Sequence, residues 1–331
     1  MRMLEELRWD KEFVLGGVTL DGFSLIFAAE ALRADKDVVL AAVSQNGYAI
    51  QHACPALRSN KGIAMAAVKQ DGSALIFVSD ELKADREVVM AAVSQSGCAL
   101  QYACQELWRD KEIVMAAVSQ DGTALQFASA SLRDDLEVAT VAVSRTGASL
   151  FFCASGSATD QKVALAAVSC DGTALQYATP AQQDTKEVVL AAVSENGTSL
   201  RFSSERMRRD KDVVLAAVAS DGQAFSYASA DLLLDDEFWH AARLHLQDYW
   251  IFKVNMMSGR ACVSVWRKEE DYLTPILKAH VKDSCVRQLG LDFNHCGHVD
   301  ILNGTTSLPD ESDISHWGFE VGKVHDLQLV L

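Results

Sequence analysis

Nowhere does this chain string together the roughly 20 apolar residues that a membrane helix needs; its longest apolar runs are of the type VVLAAV. Its opening, MRMLEELRWDKEF, places acidic residues where a signal peptide has a basic start and an apolar centre. Positive charge is scarce as well. Against 45 aspartates and glutamates stand 30 lysines and arginines, a formal net charge of −15. Phosphate binding needs clustered Lys and Arg, so this balance argues against nucleic acid and disfavours an anionic membrane surface. The eight cysteines form no pairing framework: Cys54 and Cys104 share one repeat position, Cys98 and Cys170 lie near turns, and Cys262, Cys285 and Cys296 are scattered. Reduced thiols in a cytoplasmic compartment are expected.

Catalytic signatures are missing too. The chain has no GxGxxG or GxxxxGK phosphate loop, no GxSxG elbow and no HExxH. Carboxylates are plentiful, but most fall where a helix begins, and no catalytic pair stands out. His295-Cys296-Gly297-His298, with Asp300 nearby, is the only cluster resembling metal ligands. Two His and one Cys so close in sequence need a fourth ligand from elsewhere, and no second cluster supplies it. The segment reads as a polar loop, so no metal, no cofactor and no enzymatic activity are expected. A metal-binding or enzymatic module centred on this loop is the alternative.

What the chain has is a period. Nine units of 25 residues run from 10 to 234 without insertion or deletion, opening at Asp10, Asp35, Asn60, Asp85, Asp110, Asp135, Asp160, Thr185 and Asp210. Each opener can accept from the free amides of a helix's first turn, so each is expected to be an N-cap. Twelve residues after the openers stand Gly22, Gly47, Gly72, Gly97, Gly122, Gly147, Gly172, Gly197 and Gly222. A glycine that never varies implies positive φ, a helix stop that only glycine adopts cheaply. Between cap and stop lies a helix of about ten residues. A second, shorter helix follows, with an aromatic ladder of Phe27, Phe77, Tyr102, Phe127, Phe152, Tyr177, Phe202 and Tyr227, and His52 in one copy. One more turn leads into the next opener, with Pro55 and Pro180 at its first position. The expectation is an all-α solenoid over residues 1–248, closed by a capping helix at 235–248, with only Leu4 and Leu7 ahead of Trp9 at the other end. The unit at 135–159 drifts most: Leu136 replaces Lys, and CASGSATD lacks the closing Leu. The units, of the type DKEIVMAAVSQDGTALQFASASLRD, resemble the repeat family known as domain of unknown function 4116, which carries no assigned activity.

At Trp250 the period gives way to alternation. Phe252, Val254 and Met256, then Ala261, Val263 and Val265, read as a hairpin around Ser258-Gly259. Thr274 and Pro275 are expected to open a helix reaching Gly290, with strands at 299–302 and 327–331 following. Residues 249–331 thus resemble the ubiquitin-like β-grasp fold in IFKVNMMSGR and in the segment from DILNGTT to the end. The resemblance implies an exposed apolar recognition patch at Met257, Ile301 and Val330, and a receptor of the ubiquitin pathway as its partner.

In the array two features could carry binding. Gln51, Gln101, Gln126 and Gln176 share one repeat position, with Ile26, Ile76, Phe151, Arg201 and Ser226 there in other units. Laddered amides could line a groove and bond an extended peptide, or each could satisfy a neighbouring turn. The row Lys11, Lys36, Lys61, Lys111, Lys186 and Lys211 is mostly flanked by acids and is expected to be a locally neutral, solvated edge. These features point to a non-enzymatic scaffold or adaptor that binds a protein or peptide, with the C-terminal domain docking a second partner.

Overall fold

Residues 110–134 show how one unit folds. Asp110 is extended, and its carboxylate accepts from the amides of Glu112 and Ile113. The helix Lys111–Gln120 follows, burying Ile113, Val114, Ala117 and Val118. Adjacent pairs spaced four apart make a wide apolar stripe, as a helix buried between two neighbours needs. At Asp121 the backbone turns extended, and this aspartate caps the next element by accepting from Thr123 N at 2.9 Å. That element, Gly122–Phe127, is a six-residue 3₁₀ helix that buries Gly122, Ala124 and Leu125. A single α-turn, Ala130–Arg133, then leads to Asp135.

This computed structural model describes residues 7–229, 231, 232 and 238 in full, and the backbone of seven strands between Trp250 and Val330. Its contacts divide the chain into two compact units, Met1–Cys170 and Asp171–Leu331. In both, the described part of the array is all-helical and repeats the same order of ten-residue helix, 3₁₀ helix and short turn. No described helix is long and apolar enough to cross a membrane. The expected domain boundary at 248/249 falls outside the described residues.

The repeated glycines correct one expectation. At Gly22, Gly47, Gly72, Gly97, Gly122, Gly172 and Gly197 the backbone does not take positive φ. Each instead lies against the backbone of the following copy. A Cβ added there would stand closer than 3.0 Å to the carbonyl oxygen of Ala42, Ala67, Ala92, Ala117, Ala142, Ala192 or Ala217 respectively. The helix stops at the residue before the glycine, and the glycine is required by crowding.

Polar bonds repeat at the same junctions. In Met1–Cys170, backbone amides bond back to the previous copy: Ala29 to Arg8 O, Cys54 to Arg33 O, Ser79 to Arg58 O, Cys104 to Lys83 O, Ser129 to Trp108 O and Ala154 to Arg133 O, at 2.9–3.2 Å. Ser204 to Gln183 O and Ser229 to Arg208 O continue the pattern in Asp171–Leu331. The lysine row is a set of forks. Lys11 holds Asp35 and Asp37, Lys61 holds Asp85 and Glu87, and Lys111 holds Asp135 and Glu137, so each cation ties one copy to the cap of the next. Arg86 does the same with Asp110 and Glu112, and Lys186 with Asp210 and Asp212. For Lys36 the corresponding positions of the next copy are Asn60 and Gly62, and it has no ion pair among the described residues. Glutamines at the helix ends add a staple the sequence reading missed: Gln45 Oε1 accepts from Gly22 N at 2.6 Å, and Gln70 Oε1 from Gly47 N.

Of the openers, Thr185 departs from expectation. Its hydroxyl donates to Ala181 O at 2.8 Å and caps nothing. A threonine hydroxyl can back-bond to the preceding turn, an option closed to aspartate. In the drifting unit the helix Leu136–Arg145 is intact, and Ser155–Thr159 forms a short turn held by Asp134, which accepts from Gly156 N and Ser157 N. The two ends of the array differ. Phe13 is 55% exposed, whereas Val38, Ile63, Val88, Ile113 and Val138 at the same position are fully buried. At the other end Phe238 is buried and stacks on Phe225, with ring centroids 6.1 Å apart. The remainder of the expected capping helix lies outside the described residues.

After the array, β1 (Trp250–Met257) and β2 (Arg260–Glu269) pair antiparallel as the expected hairpin. Where Thr274 and Pro275 were expected to open a helix, β3 (Tyr272–Val281) is a strand antiparallel to β2. Leu273, Pro275, Leu277, Ala279 and Val281 alternate, and that period of two competes with the four-residue spacing read as helix. Pro275 lies beside a register shift in the pairing, a place in a sheet that tolerates a missing N–H. β4 (Leu291–Asn294), β5 (His298–Asn303) and β6 (Thr306–Ser307) form a second sheet, and β7 (Asp326–Val330) joins the first in the order β3-β2-β1-β7. The ubiquitin-like assignment also turns on residues 282–290 and 308–325, which lie outside the described residues, as do His295, Cys296 and Gly297.

Two outcomes follow for stability. Gly97→Ala forces a Cβ against the Ala117 carbonyl and should lower unfolding free energy by about 1–3 kcal/mol. Gly16→Ala, in an exposed helix position with nothing within 4 Å, should raise it by up to about 1 kcal/mol. Chemical denaturation checks both, and equal signs would refute the crowding account. For pH, the hydrogen-bonded lysine holds Asp35, Asp85 and Asp135 below the ordinary aspartate range. Their contribution is therefore present above that range, and stability should fall as pH drops below about 4. The same partners raise Lys11, Lys61 and Lys111, so that contribution persists until pH exceeds about 10. Denaturation midpoints across pH should show a neutral plateau with an acid limb, steeper in the wild type than in Lys61→Gln/Lys111→Gln.

Candidate interaction surface

The 3₁₀ helix carries the candidate residues because its geometry splits each copy in two. Its glycine, its small residue and its Leu face inward: Gly97, Ala99 and Leu100 are fully buried, as are Gly122, Ala124 and Leu125. The next residue is left facing out. In Met1–Cys170 that residue is Ile26, Gln51, Ile76, Gln101, Gln126 and Phe151 in successive copies. Ile26, Ile76 and Phe151 are 48%, 40% and 67% exposed, a share of apolar surface that a buried column would not show. Gln101 and Gln126 are exposed, and Gln51 is half-buried.

The amides are partly engaged. Gln101 Nε2 donates to Cys98 O at 3.0 Å, and Gln126 Nε2 to Thr123 O at 3.1 Å, each closing a turn of its own copy. Both side chains are otherwise exposed. The column therefore mixes apolar side chains with amides. In Asp171–Leu331 the same position holds Gln176, exposed, then Arg201, whose guanidinium lies 4.4 Å from the centroid of the Phe202 ring, then Ser226.

The aromatic ladder lies one residue further on. Phe77, Tyr102, Phe127 and Phe152 are half-buried and pack on the core, so they form the floor beside the column. Phe151 meets Phe152 edge-on at 5.4 Å, Tyr48 meets Phe77 at 5.6 Å, and Phe23 meets His52 at 5.9 Å. Burial and then the charge of Arg33 push the His52 imidazole down, so it is neutral near pH 7. Burial raises the thiols of Cys98 and Cys153, the latter to about 11, which keeps both away from the thiolate form.

The C-terminal candidates are placed by backbone alone. Met257 ends β1 and pairs with Arg260; Val330, in β7, pairs with Ile251 at the opposite end of β1; Ile301 belongs to β5 in the other sheet. Among the described residues no group of three or more His, Cys, Asp or Glu could hold a metal ion.

No curated protein and no solved structure matches the chain. One family does, the domain of unknown function 4116, over residues 10–58, 60–108, 110–155 and 185–233. Each matched stretch covers two 25-residue copies or nearly so, and the unmatched stretch begins within the drifting segment, at Gly156. These matches take in more than half of the sequence, and the chain belongs to the domain of unknown function 4116 family.

Proposed function

We propose that this chain is a non-enzymatic interaction scaffold or adaptor that works inside the cell. Its helical array presents the outward column of the 3₁₀ helices to a protein or peptide, and residues 249–331, read as ubiquitin-like, dock a second partner through Met257, Ile301 and Val330. The observation that carries the reading is the column itself. Side chains of mixed apolar and amide character stand at one position in copy after copy, on backbone that, within each compact unit, is tied to its neighbour. Fixed spacing lowers the ordering cost that a flexible surface meets on binding. Free thiols at Cys54, Cys98, Cys104, Cys153 and Cys170 are compatible with a reducing compartment.

The test is affinity capture with full-length protein as bait, beside a Gln101→Ala/Gln126→Ala/Phe151→Glu variant and an Ile301→Asp variant. A partner held by the wild type and reduced about tenfold or more by the triple change supports the array as the binding element. Loss of a separate partner with Ile301→Asp alone assigns the second role to the C-terminal segment. No partner above background with any bait would overturn the scaffold reading.

A further inference from the structure

A second column runs through Met1–Cys170: Arg33, Arg58, Lys83, Trp108 and Arg133, one per copy. Its backbone is tied across the junctions. The carbonyls of all five residues accept from the amide of the next copy, Cys54, Ser79, Cys104, Ser129 and Ala154, at 2.9–3.2 Å. The column is thus built on fixed points.

Its arginines differ from the cations of the forks. Lys11, Lys61, Arg86 and Lys111 each hold two carboxylates. Arg33, Arg58 and Arg133 have no ion pair and no side-chain hydrogen bond among the described residues. All three are half-buried, and in each the Nε is buried without an acceptor. A chain with a net charge of −15 has carboxylates to spare, yet this position keeps a half-buried, unpaired guanidinium in three copies. The stems are packed against protein, so less rotamer freedom remains to be lost when the terminal nitrogens meet a ligand. Lys83 reaches Asp80 at 3.2 Å, and the Trp108 indole N–H donates to Leu100 O at 3.0 Å.

Apolar surface lies alongside. Arg33 is near enough to His52 for its charge to act on the imidazole, and by the period Phe77, Tyr102, Phe127 and Phe152 hold the same place in the following copies. Guanidinium, indole and phenyl groups in one strip are the residue types that dominate binding energy at protein interfaces. A planar guanidinium matches a carboxylate in two-pronged geometry.

We infer that this strip is the docking site for an acidic, extended segment of a partner protein, with its carboxylates on Arg33, Arg58 and Arg133 and its apolar side chains on Trp108 and the flanking aromatics. The inference rests on the scaffold reading and names the chemistry of its ligand. A long polyphosphate would meet the acidic remainder of the surface, whereas a short peptide touches the strip alone.

The test uses full-length protein and fluorescence anisotropy with three probes: a labelled peptide in which Glu alternates with Phe and Leu, its Gln counterpart, and a single-stranded DNA oligonucleotide. The acidic peptide should bind, with the Gln peptide at least about tenfold weaker. Arg33→Gln/Arg58→Gln/Arg133→Gln should abolish binding, while Lys69→Gln/Arg109→Gln/Lys162→Gln, an equal change of charge at exposed positions elsewhere, should leave it within about twofold. Circular dichroism of both triple variants verifies the array, and each single Arg→Gln change, with its proportionate loss, replaces the triple variant if that one unfolds. No binding of the acidic peptide, binding indifferent to the arginines, or tighter binding of the oligonucleotide would overturn the inference. A partner captured equally by wild type and the Arg→Gln triple variant would also overturn it while leaving the scaffold reading in place.

Discussion

The contact on which the array depends is between a hydrogen atom and a carbonyl. Where Gly97 meets the Ala117 carbonyl, or Gly47 that of Ala67, the α-hydrogen of glycine is the only substituent small enough to fit. That approach sets how near successive copies lie, and the rest of the junction follows from it. Ala92, Ala117 and Ala142 are fully buried because a larger side chain beside that carbonyl would hold the copies apart. Val88 and Val93 can then be shared between neighbours, and a 25-residue segment that could bury little alone becomes one slice of a continuous core.

Polar bonds give the stack its register. Amide to carbonyl, cation to two carboxylates and glutamine to glycine all cross the same boundary, and each is satisfied only when the copies stand in one alignment. The forks are exposed and individually weak. Their value is in specificity: Lys61 finds Asp85 and Glu87 together only if the next helix begins where it does. The absent partner of Lys36 and the apolar Leu136 show that single rungs are dispensable.

The period, the caps and the order of elements were legible in the sequence because they are local: an aspartate and the amides two and three residues on, or valines on one helical face. The reason for the glycines was not. Invariance records that a side chain is forbidden without saying whether torsion or crowding forbids it, and here the obstructing carbonyl lies 20 residues ahead, as from Gly97 to Ala117. The lysine row was read as solvated because its acidic neighbours in sequence were counted, whereas its bonds reach Asp35 and Asp37 across the junction. Arg86 dropped out of that row by residue type alone, and the arginines at 33, 58 and 133 drew no notice because nothing in their own copy marks them. At β3 two periods overlap in Tyr272–Val281, and one sequence cannot tell which the backbone will follow.

The forks also make the copies interchangeable. Each cation binds forward to groups that every acidic opener supplies, and each glycine meets a carbonyl that nearly every copy presents. Removing residues 85–109 as a block would bring Lys61 to Asp110 and Glu112, and Gly72 to the carbonyl of Ala117, with no bond type lost. For such a chain length is a coarse dial turned in steps of 25 residues, and unequal recombination between copies is a change its packing can absorb.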